Sequence, residues 1–78
     1  MVGRSDSRLI VVEVGPGGRA DKAGLNVRDR ILSIDGAELE KIGVDAAITR
    51  LLAPLTRPRI IGYEREGMAR PAEAKLMP

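Results

Sequence analysis

One stretch of this 78-residue chain, residues 16–36, constrains its fold more than the rest of the sequence. A β-branched run before it ends at a proline and three glycines, which stop a strand because proline cannot donate to a ladder. Gly24 has the position of a helix stop, and Asp35-Gly36 is a strong turn dipeptide. The stretch and the run before it predict, in order, a strand over 8–14, a helical turn over 19–23 and a strand over 30–34.

The remainder of the chain predicts one longer helix and more strands. Apolar residues from Val44 onward recur at the spacing of an amphipathic helix, and Pro54 ends the pattern. The first seven residues are polar, so we expect 1–7 to be a flexible tail and 8–78 to be a single domain. The other predicted elements are a short strand over 37–40, the helix over 44–53, and strands over 59–65 and 73–77.

Composition excludes several classes of function. The chain has no His and no Cys, which rules out Ser–His and Cys–His nucleophiles and thiolate metal sites. Its 13 basic and 11 acidic residues are interleaved, so we expect no nucleic-acid surface. No apolar run is long enough for a membrane span, and we expect no membrane contact by this segment and no cofactor.

Three weaker patterns have structural interpretations that we prefer. Asp29 and Asp35 flank a strand as metal ligands could, but Asp35 begins a turn. The glycines of residues 15–18 suggest a phosphate loop but lack its Lys and its long helix. A Ser–Lys dyad could combine a serine at 5, 7 or 33 with a lysine at 22, 41 or 75, although the first two serines lie in the tail.

The motif resembles the PDZ family of peptide-binding domains. Residues 16–25 read Pro-Gly-Gly-Arg-Ala-Asp-Lys-Ala-Gly-Leu and residues 29–36 read Asp-Arg-Ile-Leu-Ser-Ile-Asp-Gly. Both are similar to the family's turn, short helix and strand, and Arg65-Glu66-Gly67 matches its closing Arg-x-Gly. The resemblance implies an α+β fold: a small, partly open antiparallel β-barrel or sandwich capped by one longer and one short helix. The last strand predicted in this chain follows Gly67, which is similar to the strand arrangement of bacterial PDZ domains.

The resemblance also implies a binding site. In PDZ domains an extended peptide adds a strand beside the long helix, with main-chain hydrogen bonds for affinity and pockets for specificity. The helix positions that face this groove in the family correspond to Val44, Ile48 and Leu51, and the neighbouring strand offers Leu9 and Val11. The alternative is that these apolar side chains are simply core.

Two departures from the family pattern affect the interpretation. Arg28 stands where the family has Gly. The family's carboxylate-binding loop and the strand after it should lie about fifteen residues before Arg8, where only Met1-Val2-Gly3 is found. We therefore expect weak binding of free C-terminal peptides. We also expect an open sheet edge that self-associates near Val44, Ile48 and Leu9.

The resemblance implies a non-catalytic module that recognises protein C-termini or extended segments. In bacteria such domains regulate or target proteases and secretion machinery, so the parent protein is expected in the periplasm or at a membrane. The alternative is a structural module with a degenerate groove that forms a homo-oligomer.

Overall fold

The computed structural model describes residues 2–5 and 8–78, which form an antiparallel sheet of six strands and three helices. The strands are β1 (Val2–Ser5), β2 (Arg8–Val11), β3 (Arg30–Ile34), β4 (Ala37–Glu38), β5 (Arg59–Glu64) and β6 (Ala72–Leu76). The helices are α1 (Arg19–Lys22), α2 (Leu39–Ile42) and α3 (Val44–Leu52).

The sheet is open, with the strand order β1-β2-β3-β5-β6 and β4 paired to β3. Every neighbouring pair is antiparallel, and the β3–β5 register shifts between Ile31 and Ser33. An open antiparallel sheet with one longer helix is an α+β architecture. The predicted PDZ-like fold class is confirmed.

The local motif folds as its turn residues require. Helix α1 is capped at Ala23, and Gly24 follows with φ +91°, a conformation that favours glycine. The turn after β3 places Asp35 at φ +51° and Gly36 at φ +82°, the two positive angles that suit a tight hairpin. Both predicted stops are confirmed, and strand β3 has the predicted bounds.

The core is aliphatic because the sequence supplies a single aromatic residue, Tyr63. Side chains from the inner face of the sheet meet α2, α3 and the segment after α1. Asp29 is the buried charged residue among those described. The buried apolar residues are Leu9, Val11, Leu25, Ile31, Ile34, Leu39, Val44, Ala47, Ile61, Tyr63 and Ala74.

Two residues that we expect from the sequence to be buried lie outside the core. The residues expected to be buried are Val12, Ala23, Leu25, Ile31, Ile34, Leu52 and Ile61. Val12 is 55% exposed because β2 ends at Val11, just before it. The sequence predicts that this strand continues to Val14. Leu52 is 72% exposed because it is the last residue of α3 and extends beyond the core. Ala23, also predicted to be buried, is partly buried.

The amino-terminal segment differs from the predicted tail. Val2–Ser5 forms β1 and pairs with β2 in a register that places Val2 opposite Val11. Main-chain hydrogen bonds require no apolar side chains, so a polar composition did not preclude a strand here. Met1, Asp6 and Ser7 belong to the same prediction and lie outside the described residues.

Helix α2 is the element that the sequence did not predict. The expected strand over 37–40 continues only through Glu38, and a helical turn begins at Leu39. Leu39 is buried and Ile42 partly buried, so this turn brings one apolar edge to the core. Gly43, at φ +84°, ends α2 and begins α3.

Candidate functional site

The five predicted groove residues separate into two groups. Leu9 and Val11 are 0% and 4% exposed on β2, and Val44 is 7% exposed at the start of α3. These three belong to the core, and their role in a peptide groove stays a prediction. Ile48 and Leu51 are half-buried and pack against the margin of the core.

Helix α3 presents its remaining apolar surface because only its first turns are fully covered. Val44 and Ala47 are buried, whereas Ile48 and Leu51 keep part of their surface accessible. Since they are three residues apart, Ile48 and Leu51 share one face of the helix. They form an apolar ridge of two residues next to the buried stripe.

The end of α3 is held by Arg59, the first residue of β5. Its Nη1 donates to the carbonyls of Leu51 and Ala53, each at 3.2 Å. The last carbonyls of a helix have no partners within it, and a cation there also favours the helix dipole. Arg59 therefore positions the helix end that carries Leu51.

Strand β1 forms one edge of the sheet. Its partner is β2, and it has no second strand neighbour among the described residues. Gly3 lies opposite Ile10, and a Cβ at Gly3 would lie 2.8 Å from Cγ1 of Val12. Because β2 pairs with only one edge of β1, the other edge of β1 offers main-chain donors and acceptors that no strand of the sheet uses.

A buried ion pair joins the loop before β3 to the end of β5. Nε of Arg65 donates to Oδ1 of Asp29, and Nη2 donates to Oδ2, both at 2.8 Å. Asp29 also accepts the main-chain N–H of Asn26 at 2.7 Å, and Arg65 donates to the carbonyl of Gly24 at 2.9 Å. The sequence offered only the Arg-x-Gly pattern as a signal for this contact.

The environment of this pair shifts both titrations. Hydrogen bonding from Arg65 lowers the pKa of the Asp29 carboxyl below its ordinary value, although burial opposes the shift. The same hydrogen bond raises the pKa of the Arg65 guanidinium. Arg65 also lies over the ring of Tyr63, with 5.4 Å between Cζ and the ring centroid. The contacts favour a structural role for Asp29 over metal binding.

Asp35 likewise has a structural partner. Its Oδ1 accepts the main-chain N–H of Ile60 at 2.8 Å, and its own N–H donates to the carbonyl of Ile60 at 2.8 Å. The turn is thereby attached to the start of β5. No group of three Asp, Glu, His or Cys residues in the described part of the chain is arranged to hold a metal ion.

Three surface cavities lie away from the predicted groove. Cavities of about 580, 450 and 530 Å³ occur on the outer sheet face, beside the turn after β5, and beside α1. None of Leu9, Val11, Val44, Ile48 and Leu51 lines any of the three. Across the described residues, no helix has the length and apolar character needed to span a membrane.

Comparison with known proteins assigns the fold to a family. A family model described as PDZ domain matches residues 10–65, which begin within β2 and run through β5 to the residue that follows it. A search of curated protein sequences finds no significant match. The matched region contains both halves of the Asp29–Arg65 pair and all of α3. The chain belongs to the PDZ domain family.

Proposed function

We propose that the domain binds extended segments of other proteins by strand addition along β1. The observation that carries the proposal is the position of β1 at the sheet edge, where its only strand neighbour among the described residues is β2. PDZ domains are interaction modules. An extended peptide can pair with an unpaired strand edge and add one more strand to the sheet.

Specificity would come from the apolar ridge of α3. Ile48 and Leu51 retain accessible surface on one helix face, and both are aliphatic. Such a surface favours a peptide with an apolar side chain over one with a charge at the contacting position. The segment bound is a protein C-terminus or an internal extended stretch.

The proposed role is recognition and not catalysis. PDZ domains are generally non-catalytic, and this sequence has neither His nor Cys. We propose that the module regulates or targets a bacterial protease or a secretion-related protein. The coding sequence on either side of residues 1–78 tests this, because a protease or secretion domain supports it and an unrelated enzyme domain contradicts it.

Binding is tested by titrating the isotope-labelled domain with peptides that end in apolar residues and following its amide NMR signals. We expect the largest shifts in β1 and α3. Ile48→Ala should weaken binding several-fold with little change in folding, because Ile48 is half-buried. Thr49→Ala, an exposed neighbour on the same helix, should bind as the parent does. Shifts that avoid both elements would contradict the proposal.

A second candidate is self-association through the same edge. It is favoured by the burial of Leu9, Val11 and Val44, which leaves a smaller apolar surface for a peptide. The exposed Leu52 and the open β1 edge would then be covered by a second copy. Sedimentation at rising protein concentration distinguishes the two, since a monomer throughout would remove this candidate.

A further inference from the structure

Beside the turn that follows β5, arginines surround a surface cavity of about 450 Å³. Four arginines and two glutamates line it, together with apolar residues. It shares no lining residue with β1 or α3. Arg59 caps α3 at the start of β5 and Arg65 follows the end of that strand, which places them about 20 Å apart. The cavity therefore lies at the far end of β5 from the helix end that Arg59 caps, and it approaches β1 only through Ile10, which pairs with Gly3.

Two of the four arginines are already neutralised. Arg65 is paired with Asp29, and Arg30 forms an ion pair with Glu64, which also lines the cavity. Arg28 and Arg70 are exposed, and neither has an ion-pair partner within the described residues. With Glu66 as the remaining acid, the cavity keeps an excess of positive charge.

Two features of the cavity arginines are energetically unfavourable, although the main-chain N–H of Arg28 has a partner in the carbonyl of Val11 at 2.7 Å. Arg28 has φ +80°, a conformation that strains a residue with a Cβ and that glycine adopts freely. The Nε of Arg30 is buried and finds no hydrogen-bond acceptor in the described part of the chain. Backbone strain and orphaned buried donors both concentrate at sites that act on a ligand.

We infer that this cavity binds an acidic segment of a partner protein, in which a carboxylate side chain lies next to an apolar one. Guanidinium groups match the planar geometry of carboxylates, so Arg28 and Arg70 supply the charged contacts. Ile10 and Met68 line the same cavity, and Met68 is 38% exposed, which supplies the apolar contact. The two glutamates on the rim disfavour a densely charged polyanion such as nucleic acid.

The test uses a short peptide that alternates Glu with Leu and is capped at both ends. The caps remove the free carboxylate, so that a PDZ-type recognition of a C-terminus cannot produce the signal. We expect amide shifts at residue 10, at residues 28–30 and at residues 64–71, and these shifts should weaken when NaCl is raised from about 50 to about 300 mM. The same peptide with Gln in place of Glu should leave the signals of these cavity residues unshifted.

Variants separate binding from folding. Arg28→Gly should stabilise the domain by relieving the positive φ, yet it should weaken peptide binding, and Arg28→Gly with Arg70→Ala should lower affinity by about tenfold or more. Arg57→Ala removes an exposed arginine that does not line the cavity and should leave affinity unchanged.

Three outcomes would overturn the inference. The first is peptide binding that the double variant leaves unaltered. The second is a set of shifts confined to β1 and α3, which would support the proposed function but not this site. The third is binding to phosphatidylserine-containing vesicles without any binding of the acidic peptide, which would assign the cavity to a membrane surface.

Discussion

Asp29 and Arg65, separated by 36 positions in the chain, meet in a two-point contact in which each carboxylate oxygen accepts one guanidinium N–H at 2.8 Å. Asp29 is fully buried, whereas Arg65 keeps about a third of its side chain exposed. The main chain of Asp29 also pairs with β2, because the N–H of Val11 donates to its carbonyl at 2.8 Å. One residue thereby connects β2, the loop before β3 and the end of β5.

Asp29→Asn should therefore lower the free energy of unfolding by about 2–3 kcal/mol, the range expected when a charged hydrogen-bond partner is lost at a buried position. The exposed third of Arg65 can be rehydrated, which keeps the loss below the upper range for buried pairs. Urea unfolding measures the change. Glu66→Gln removes an exposed negative charge nearby and should change stability by less than about 0.5 kcal/mol. Equal effects of the two variants would contradict the role assigned to Asp29.

The same pair predicts how stability depends on pH. The pKa of Asp29 is lower in the folded protein than its ordinary value of about 3.9, because Arg65 holds the charged form. The ionised Asp29 therefore contributes its full stabilisation above the pKa that this carboxyl has in the unfolded chain. That stabilisation is lost as the pH falls through the lower pKa of the folded protein. Unfolding free energies measured from pH 7 down to pH 2 should fall below about pH 5. Asp29→Asn should show a shallower fall, and parallel curves would rule out this residue as the cause.

Arg28→Gly should raise the free energy of unfolding by about 1 kcal/mol. Glycine adopts φ +80° freely, whereas the Cβ of Arg28 clashes with the main chain at that angle. Asp35 is the matched comparison, with φ +51° and a side chain that accepts a hydrogen bond from Ile60. Asp35→Gly relieves the same kind of strain but loses that bond, so we expect no gain. Thermal melts of the two variants give the answer. A destabilised Arg28→Gly would mean that the arginine side chain itself holds the loop.

Gly62→Ala should destabilise the sheet by about 1–3 kcal/mol, the usual range for overpacking. Gly62 lies opposite Ser33 on β3, and a Cβ there would collide with the hydroxyl oxygen of Ser33. Ser33→Gly in the same chain should restore part of the loss, whereas Ser33→Gly alone should not stabilise the parent. A double-mutant cycle by chemical unfolding measures the coupling, and additive effects would show that the collision is relieved elsewhere.

The sequence alone determined the elements whose signals lie within a few residues. The stop at Gly24, the turn at Asp35-Gly36 and the end of α3 before Pro54 follow from φ preferences and from the missing N–H of proline. The strand over 30–34 was bounded by such a signal at its end, where Asp35-Gly36 turns the chain. The PDZ resemblance rested on this same local motif, which is why the fold class was predictable.

Tertiary structure decided what depends on contacts between distant segments. Whether Leu9, Val11 and Val44 face a groove or the core depends on how α3 packs against the sheet. Residues that face a groove and residues that face the core give the same apolar pattern in the sequence. The segment Val2–Ser5 joins the sheet because β2 offers it unpaired main-chain groups and because Val2 packs against the core, and both contacts depend on distant residues. The Asp29–Arg65 pair exists only because two loops converge, and that convergence leaves Arg28 and Arg70 beside one cavity.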